Sequence, residues 1–293
     1  MKVGLVTCIK NENIYLKEFI EYYINIGVDT IHLIDNNSDD LENVCNYLNI
    51  NDFNKYYNNI CVWEQFRNYY ATNGQTEMYT SIYNEIKNDY DVILFFDIDE
   101  YLWLKEDKNI KDYLNRPIFK DYNTIFINWL MYDDNDLIYY EDRPLNERFT
   151  RARYNMMITQ DIFTDYIGNE CYKIFYNNNR SANYISKSII FTDNKNINFL
   201  DCHHIVYNNS KVCDNAGNLL YNIENNIPEM YFDHFDESLA VLKHFRYKTI
   251  DEFVRFKLNF HRFTIGYDIY EFFNNGNYLT HEKIDYLKQH NLI

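Results

Sequence analysis

Chain-breaking residues are scarce: 7 glycines and 3 prolines in 293 residues. No low-complexity linker and no internal repeat interrupts the chain. Its 46% hydrophobic and 25% charged content excludes disorder for most of its length. The cysteines Cys8, Cys45, Cys61, Cys171, Cys202 and Cys213 form no CxxC pair. A disulfide framework is therefore not expected, and a reducing, cytoplasmic compartment is. Positive charge is also short. Lys and Arg number 28 against 44 Asp and Glu, a net charge of −16. Such a surface repels nucleic acid and disfavours a broad basic face on an anionic membrane. No apolar run approaches the roughly 20 residues of a membrane-spanning helix. Val3–Ile9 is too short for a signal peptide and reads as a buried strand.

Aromatic residues are abundant, with 30 Tyr and 21 Phe. Codon bias in an A/T-rich genome accounts for most of this, and stacking on sugar rings is the functional alternative.

The first hundred residues alternate strand and helix. Val3–Cys8 and Thr30–Ile34 are apolar runs of strand length, and Ile60–Trp63 is a shorter one. Leu16, Phe19, Ile20, Tyr23 and Ile24 share one helical face, and Gly27 ends that helix. Ser38 is placed to cap a helix carrying Leu41, Val44, Cys45 and Leu48. Thr76–Lys87 is helical, and Asp91–Phe96 is the strongest strand signal. The expected fold is α/β, a mostly parallel sheet flanked by helices. Thr124–Met131, Cys171–Phe175, Ser188–Phe191 and Cys202–Tyr207 read as strands of a small mixed extension. From Glu237 onward the pattern reads as helical. Thr249 to Glu252 forms a capping box before Phe253, Phe256 and Phe260, and Thr280 caps a last helix. The division expected is a catalytic domain over 1–235, with a nucleotide-sugar half at 1–100 and an acceptor half at 101–235. A helical extension over 236–293 packs on it.

Ligands of such sheets bind beyond the carboxyl ends of the strands. Three polar segments converge there: Lys10-Asn11-Glu12, Asp35-Asn36-Asn37 and Asp97-Ile98-Asp99. As alternate residues of a strand end, Asp97 and Asp99 would share one side. Two carboxylates suit Mg²⁺ or Mn²⁺, which would neutralise a diphosphate leaving group. Asp35 suits a nucleobase or ribose. His203 and His204 are adjacent in a strand-like segment, so one of them would complete the metal set. Asp134, within Asp133-Asp134-Asn135-Asp136, is the preferred base for an acceptor hydroxyl, and Glu147 is the second. Arg148 is a candidate ion-pair partner for Glu147.

The segments Thr7–Asn13, Leu16–Tyr23 and Gly27–Ser38 resemble the opening of family 2-like and family 92-like glycosyltransferases. Gln75 and Asp91–Leu102 are similar to that group's DxDE segment. Trp129, Arg143–Phe149, Lys187–His204 and His244–Phe253 are similar to its later blocks, in order. The resemblance implies a GT-A fold and a nucleoside-diphosphate sugar, usually UDP-linked. It implies Asp99 on the metal, Asp97 at ribose or metal-bound water, Asp35 on the nucleoside, and His203 or His204 at the metal or diphosphate. Gln75, Asn11 and Glu12 join the donor-binding set. The expected reaction is inverting hexosyl transfer to a glycan, such as a lipopolysaccharide or capsule precursor. No transmembrane segment is expected, so a membrane-bound acceptor would be met peripherally. The chain departs from the group at Tyr132–Asp136, where many relatives have a glycine-containing turn. Two rivals stand: a sugar-nucleotide nucleotidyltransferase or hydrolase, disfavoured by the glycine-free Thr7–Asn13 loop, and a catalytically silent glycan-binding or scaffold protein.

Overall fold

The computed structural model describes residues 1–36, 38, 44, 47–48, 55, 58–64, 74–154, 157–158, 163–167, 170–174, 180–181, 185–192, 197–199, 205–207, 211–222, 235–257 and 280–292. Its centre is a mixed sheet of eleven strands. In chain order these are β1 (Val3–Ile9), β2 (Thr30–Asp35), β3 (Ile60–Trp63), β4 (Val92–Phe95), β5 (Glu100–Leu104), β6 (Thr124–Tyr132), β7 (Ala152–Arg153), β8 (Ser186–Phe191), β9 (Lys211–Cys213), β10 (Leu219–Asn222) and β11 (Ala240–His244). Among the described residues the α-helices with both ends defined are α1 (Asn13–Asn25), α2 (Gly74–Ile86), α3 (Ile110–Leu114), α4 (Leu145–Arg148), α5 (Ile250–Glu252) and α6 (His281–Gln289).

The strand order is β10-β9-β6-β8-β4-β1-β2-β3. β4, β1, β2 and β3 are mutually parallel, and β8 runs antiparallel between β4 and β6. β6 is buried along all nine residues. Its first half pairs with β8, and Trp129–Met131 pairs in parallel with β11. β5 is antiparallel to β11, with His244 opposite Glu100. Three two-stranded ribbons lie outside this sheet: Phe163–Ile167 with Glu170–Ile174, Met157–Ile158 with Arg180–Ser181, and Ile197–Phe199 with Ile205–Tyr207.

The pleat sends successive side chains to opposite faces, and this chain has apolar groups for both. Val3, Leu5, Ile9, Leu33, Val92 and Leu94 meet α1 through Leu16, Phe19, Ile20 and Tyr23. Val6, Ile34, Ile93 and Phe95 meet α2 through Met78, Tyr79, Ile82, Tyr83 and Ile86. Gly27, at φ 100°, ends α1. Its N–H reaches Ile24 O and the N–H of Val28 reaches Tyr23 O, closing the helix with paired reverse bonds. Several tyrosines are core residues: Tyr23, Tyr79, Tyr83, Tyr101 and Tyr113 are fully buried. Tyr23 satisfies its hydroxyl by donating to Glu100 O at 2.7 Å.

The helical reading from Glu237 is corrected at Ala240–His244. That run is β11, buried between β5 and β6. A short continuous apolar run suits either element by periodicity alone, and here strand pairing decides. One sheet therefore continues across position 236. The helix expected after Ser38 lies largely outside the described residues, although Val44 and Leu48 are helical and buried. Cys202 and Phe260 also lie outside them.

Candidate functional site

Parallel pairing aligns the carboxyl ends of three strands. Ile9 sits beside Asp35, and Val6 sits beside Phe95. β4 stops at Phe95, two residues before Asp97. Residues Asp97–Glu100 then form a turn, closed by Glu100 N–H to Asp97 O at 3.0 Å. The Glu100 side chain braces it by accepting from Asp97 N–H at 2.8 Å. The two aspartates are thus turn residues, not alternate positions of a strand, and they meet different partners.

Asp97 faces α2 and β8. Its Oδ1 accepts from Gln75 Nε2 at 3.0 Å and Tyr79 OH at 3.3 Å, and its Oδ2 from Lys187 Nζ at 2.7 Å. Asp99 faces the segment after β11. Its Oδ2 accepts from Lys248 Nζ at 2.9 Å, and its Oδ1 lies 3.6 Å from His244 Nε2. The Asp97 side chain keeps 28% of its surface in solvent, the Asp99 side chain 5%. Lys248 also approaches Glu12 Oε1 at 3.8 Å. Asp35 is buried and accepts from Ser38 N–H at 2.9 Å, while Ser38 Oγ accepts from Asn11 N–H at 3.2 Å. Asn11 and Lys248 both hold left-handed backbone, at φ 56° and 51°. Such conformations cost energy in residues with a Cβ and cluster where surrounding structure over-determines them.

Burial sets the charge states. Glu100, sealed behind the turn, is pushed well above the usual carboxylate range by desolvation, against the pull of Lys187. His244 is pushed down by desolvation, which outweighs Asp99. Its ring packs on Trp129 at 4.1 Å between centroids.

The fold brings Asn11, Glu12, Asp35, Gln75, Asp97 and Asp99 to one edge. It gives the two expected bases other surroundings. Asp134 is fully buried, ion-paired with Lys283 of α6, and accepts from Asp136 N–H at 2.9 Å. Its carboxyl is raised by desolvation, partly offset by Lys283. A group sealed on both oxygens has no geometry for receiving a proton from an incoming hydroxyl. The choice of Asp134 as base is corrected on that ground. Glu147 is exposed on α4. Its neighbour Arg148 turns away from it, to Glu252 at 2.8 and 2.9 Å. His203 and His204 lie outside the described residues.

Divalent-cation chemistry is tested by the donor set itself. Mg²⁺ and Mn²⁺ want several hard oxygens converging. Among the described residues no group of three or more His, Cys, Asp or Glu comes together to hold an ion. Both expected carboxylates are already bound to ammonium groups. The described residues do not fit a metal.

Lys187, Lys248, Tyr79 and His244 were not singled out as site residues from sequence. Lys187 carried a signal: a lysine inside the apolar run Ser186–Phe191 needs a buried acid as partner. Lys248 and His244 carried none, since their acid is 149 residues from Lys248. No family model and no curated protein matches the chain.

Proposed function

We propose that this chain is a GT-A-type glycosyltransferase that moves a hexose from a nucleoside-diphosphate sugar, uridine-linked, to a hydroxyl of a glycan acceptor with inversion. The observation that supports it is the braced acidic turn Asp97–Glu100 at the carboxyl edge of parallel strands, beside Asp35, Glu12 and Gln75. That edge is where open α/β sheets hold ligands. The resemblance of the same segments to family 2-like and family 92-like glycosyltransferases points the same way.

In this reading Asp97 is the acid that meets the donor, because its side chain alone of the pair keeps substantial solvent contact. Gln75, Tyr79 and Lys187 orient it. Asp99, clamped by Lys248, ties the loop after β11 to the turn. Charge limits what can enter. Glu12, Asp97, Asp99 and Glu100 face Lys187 and Lys248. Arg246, whose charge acts on His244, adds a third cation to this balance.

Calorimetry with UDP, with and without Mn²⁺, is the test. Saturable binding is expected, weakened at least tenfold in Asp97→Asn, about 1.4 kcal/mol. Turnover of a UDP-hexose panel should fall with it. A second reading, a silent glycan-binding protein, is favoured by the neutralisation of each aspartate by its own lysine. Absence of UDP binding under both conditions would decide for that reading and against the transferase.

A further inference from the structure

Away from the acidic turn, β5 and β11 carry a patch of opposite character. Trp103 is 40% exposed, whereas Trp129 is buried. Lys243 Nζ stands 4.5 Å from the Trp103 ring centroid and 5.6 Å from that of Tyr132. On the other flank Lys105 Nζ is 5.4 Å from the Trp103 ring and is neutralised by Glu237 at 3.3 Å. Tyr154, 52% exposed, completes the patch with its hydroxyl 3.4 Å from Glu237.

Lys243 is the anomaly. In a chain with a net charge of −16, its ammonium has no carboxylate or hydrogen-bond partner among the described residues and meets the rings of Trp103 and Tyr132. A half-buried ammonium faced by aromatic rings alone among the described residues keeps much of its desolvation cost, which ring quadrupoles offset only in part. Burial also lowers its pKa, with no acid opposing the shift. An exposed indole beside it offers a flat apolar surface suited to the C–H face of a pyranose. A single lysine contributes too little at an anionic bilayer to dock a membrane. A small ligand that presents a ring and an anion together satisfies both groups.

We infer that Trp103 and Lys243, flanked by Tyr132 and Tyr154, form a binding site for an anionic sugar, one bearing a carboxylate or a phosphate. Trp103 lies three residues along β5 from Glu100, about 10 Å at ~3.3 Å per residue. The site stands independently of the transferase reading.

Tetragalacturonate, glucose 6-phosphate and neutral maltotetraose, titrated calorimetrically into the full chain, test this. At least one anion should bind saturably, and which one separates carboxylate from phosphate. Maltotetraose should bind at least tenfold more weakly. Trp103→Ala and Lys243→Gln should each weaken the anion at least tenfold, while Lys243→Arg stays within threefold of wild type. Thermal unfolding checks that Lys243→Gln folds, and UDP affinity of Trp103→Ala keeps this result separate from the acidic turn. Equal affinity for neutral and anionic sugars, no saturable binding of either anion, or unchanged affinity in Trp103→Ala overturns the inference. So does binding only to phosphatidylserine vesicles.

Discussion

Glu252 shows how much depends on single buried charges. It takes both arms of Arg148, the Tyr15 hydroxyl at 2.9 Å, and the Thr249 N–H and Oγ. Burial alone would raise its pKa, but the guanidinium and the Thr249 bonds outweigh it and hold the carboxyl below its ordinary value. A folded pKa below the unfolded one means stabilisation present above the unfolded value, about 4.5, and lost as pH falls through the folded value. Glu252→Gln strands a guanidinium that is only 1% exposed. The expected cost is about 3–5 kcal/mol, read by urea unfolding at pH 7. A loss under 1 kcal/mol would show that the network does not depend on charge.

The C-terminal helix α6 is short, so its stability comes from what it docks against. Thr280 caps it by accepting from Lys283 N–H at 3.3 Å, as its sequence predicts. Leu287 is fully buried, Tyr286 donates to Asp251 at 2.8 Å, and Lys283 reaches Asp134. Lys283→Met leaves the buried Asp134 carboxyl without a counter-ion, with the Asp136 N–H as its remaining hydrogen-bond donor. Stability at pH 7 should drop by about 3–5 kcal/mol. The double variant Lys283→Met/Asp134→Leu should recover most of it, because removing both charges also removes the desolvation cost. A denaturant double-mutant cycle measures the pair, and additive losses would contradict its coupling.

Two buried histidines weaken the folded molecule as pH falls, against the opposite contribution of the raised Glu100 and Asp134 carboxyls. His32 is pushed down to about 4 and His244 is lowered too, both by desolvation. Their folded pKa values lie below the unfolded value of about 6.5. The unfolded chain therefore takes up protons that the folded chain refuses. The histidine contribution to stability should be full above about pH 6.5 and fall as pH drops below it, by at most about 1.4 kcal/mol per pH unit per group. Thermal unfolding from pH 7 to pH 5 checks this. His32→Phe should flatten the slope, and an unchanged slope would place the sensitivity elsewhere.

Local pattern alone determined β1 to β4, α1, α2 and the caps at Thr249 and Thr280. Each follows from side-chain periodicity or a capping residue within a few positions, and that information is contained in a short window. It also marked Asn11, Glu12, Asp35, Gln75, Asp97 and Asp99 as residues to watch. Tertiary structure alone decided that Ala240–His244 is a strand, that Asp97 stays open while Asp99 closes, and that Asp134 belongs to α6. The reason is distance along the chain. Lys187 is 90 residues from Asp97, and Lys248 and Lys283 are each 149 residues from their acids. A charge in sequence has no environment until the sheet brings its partner to it, and burial then fixes whether it is a ligand, a clamp or a lock.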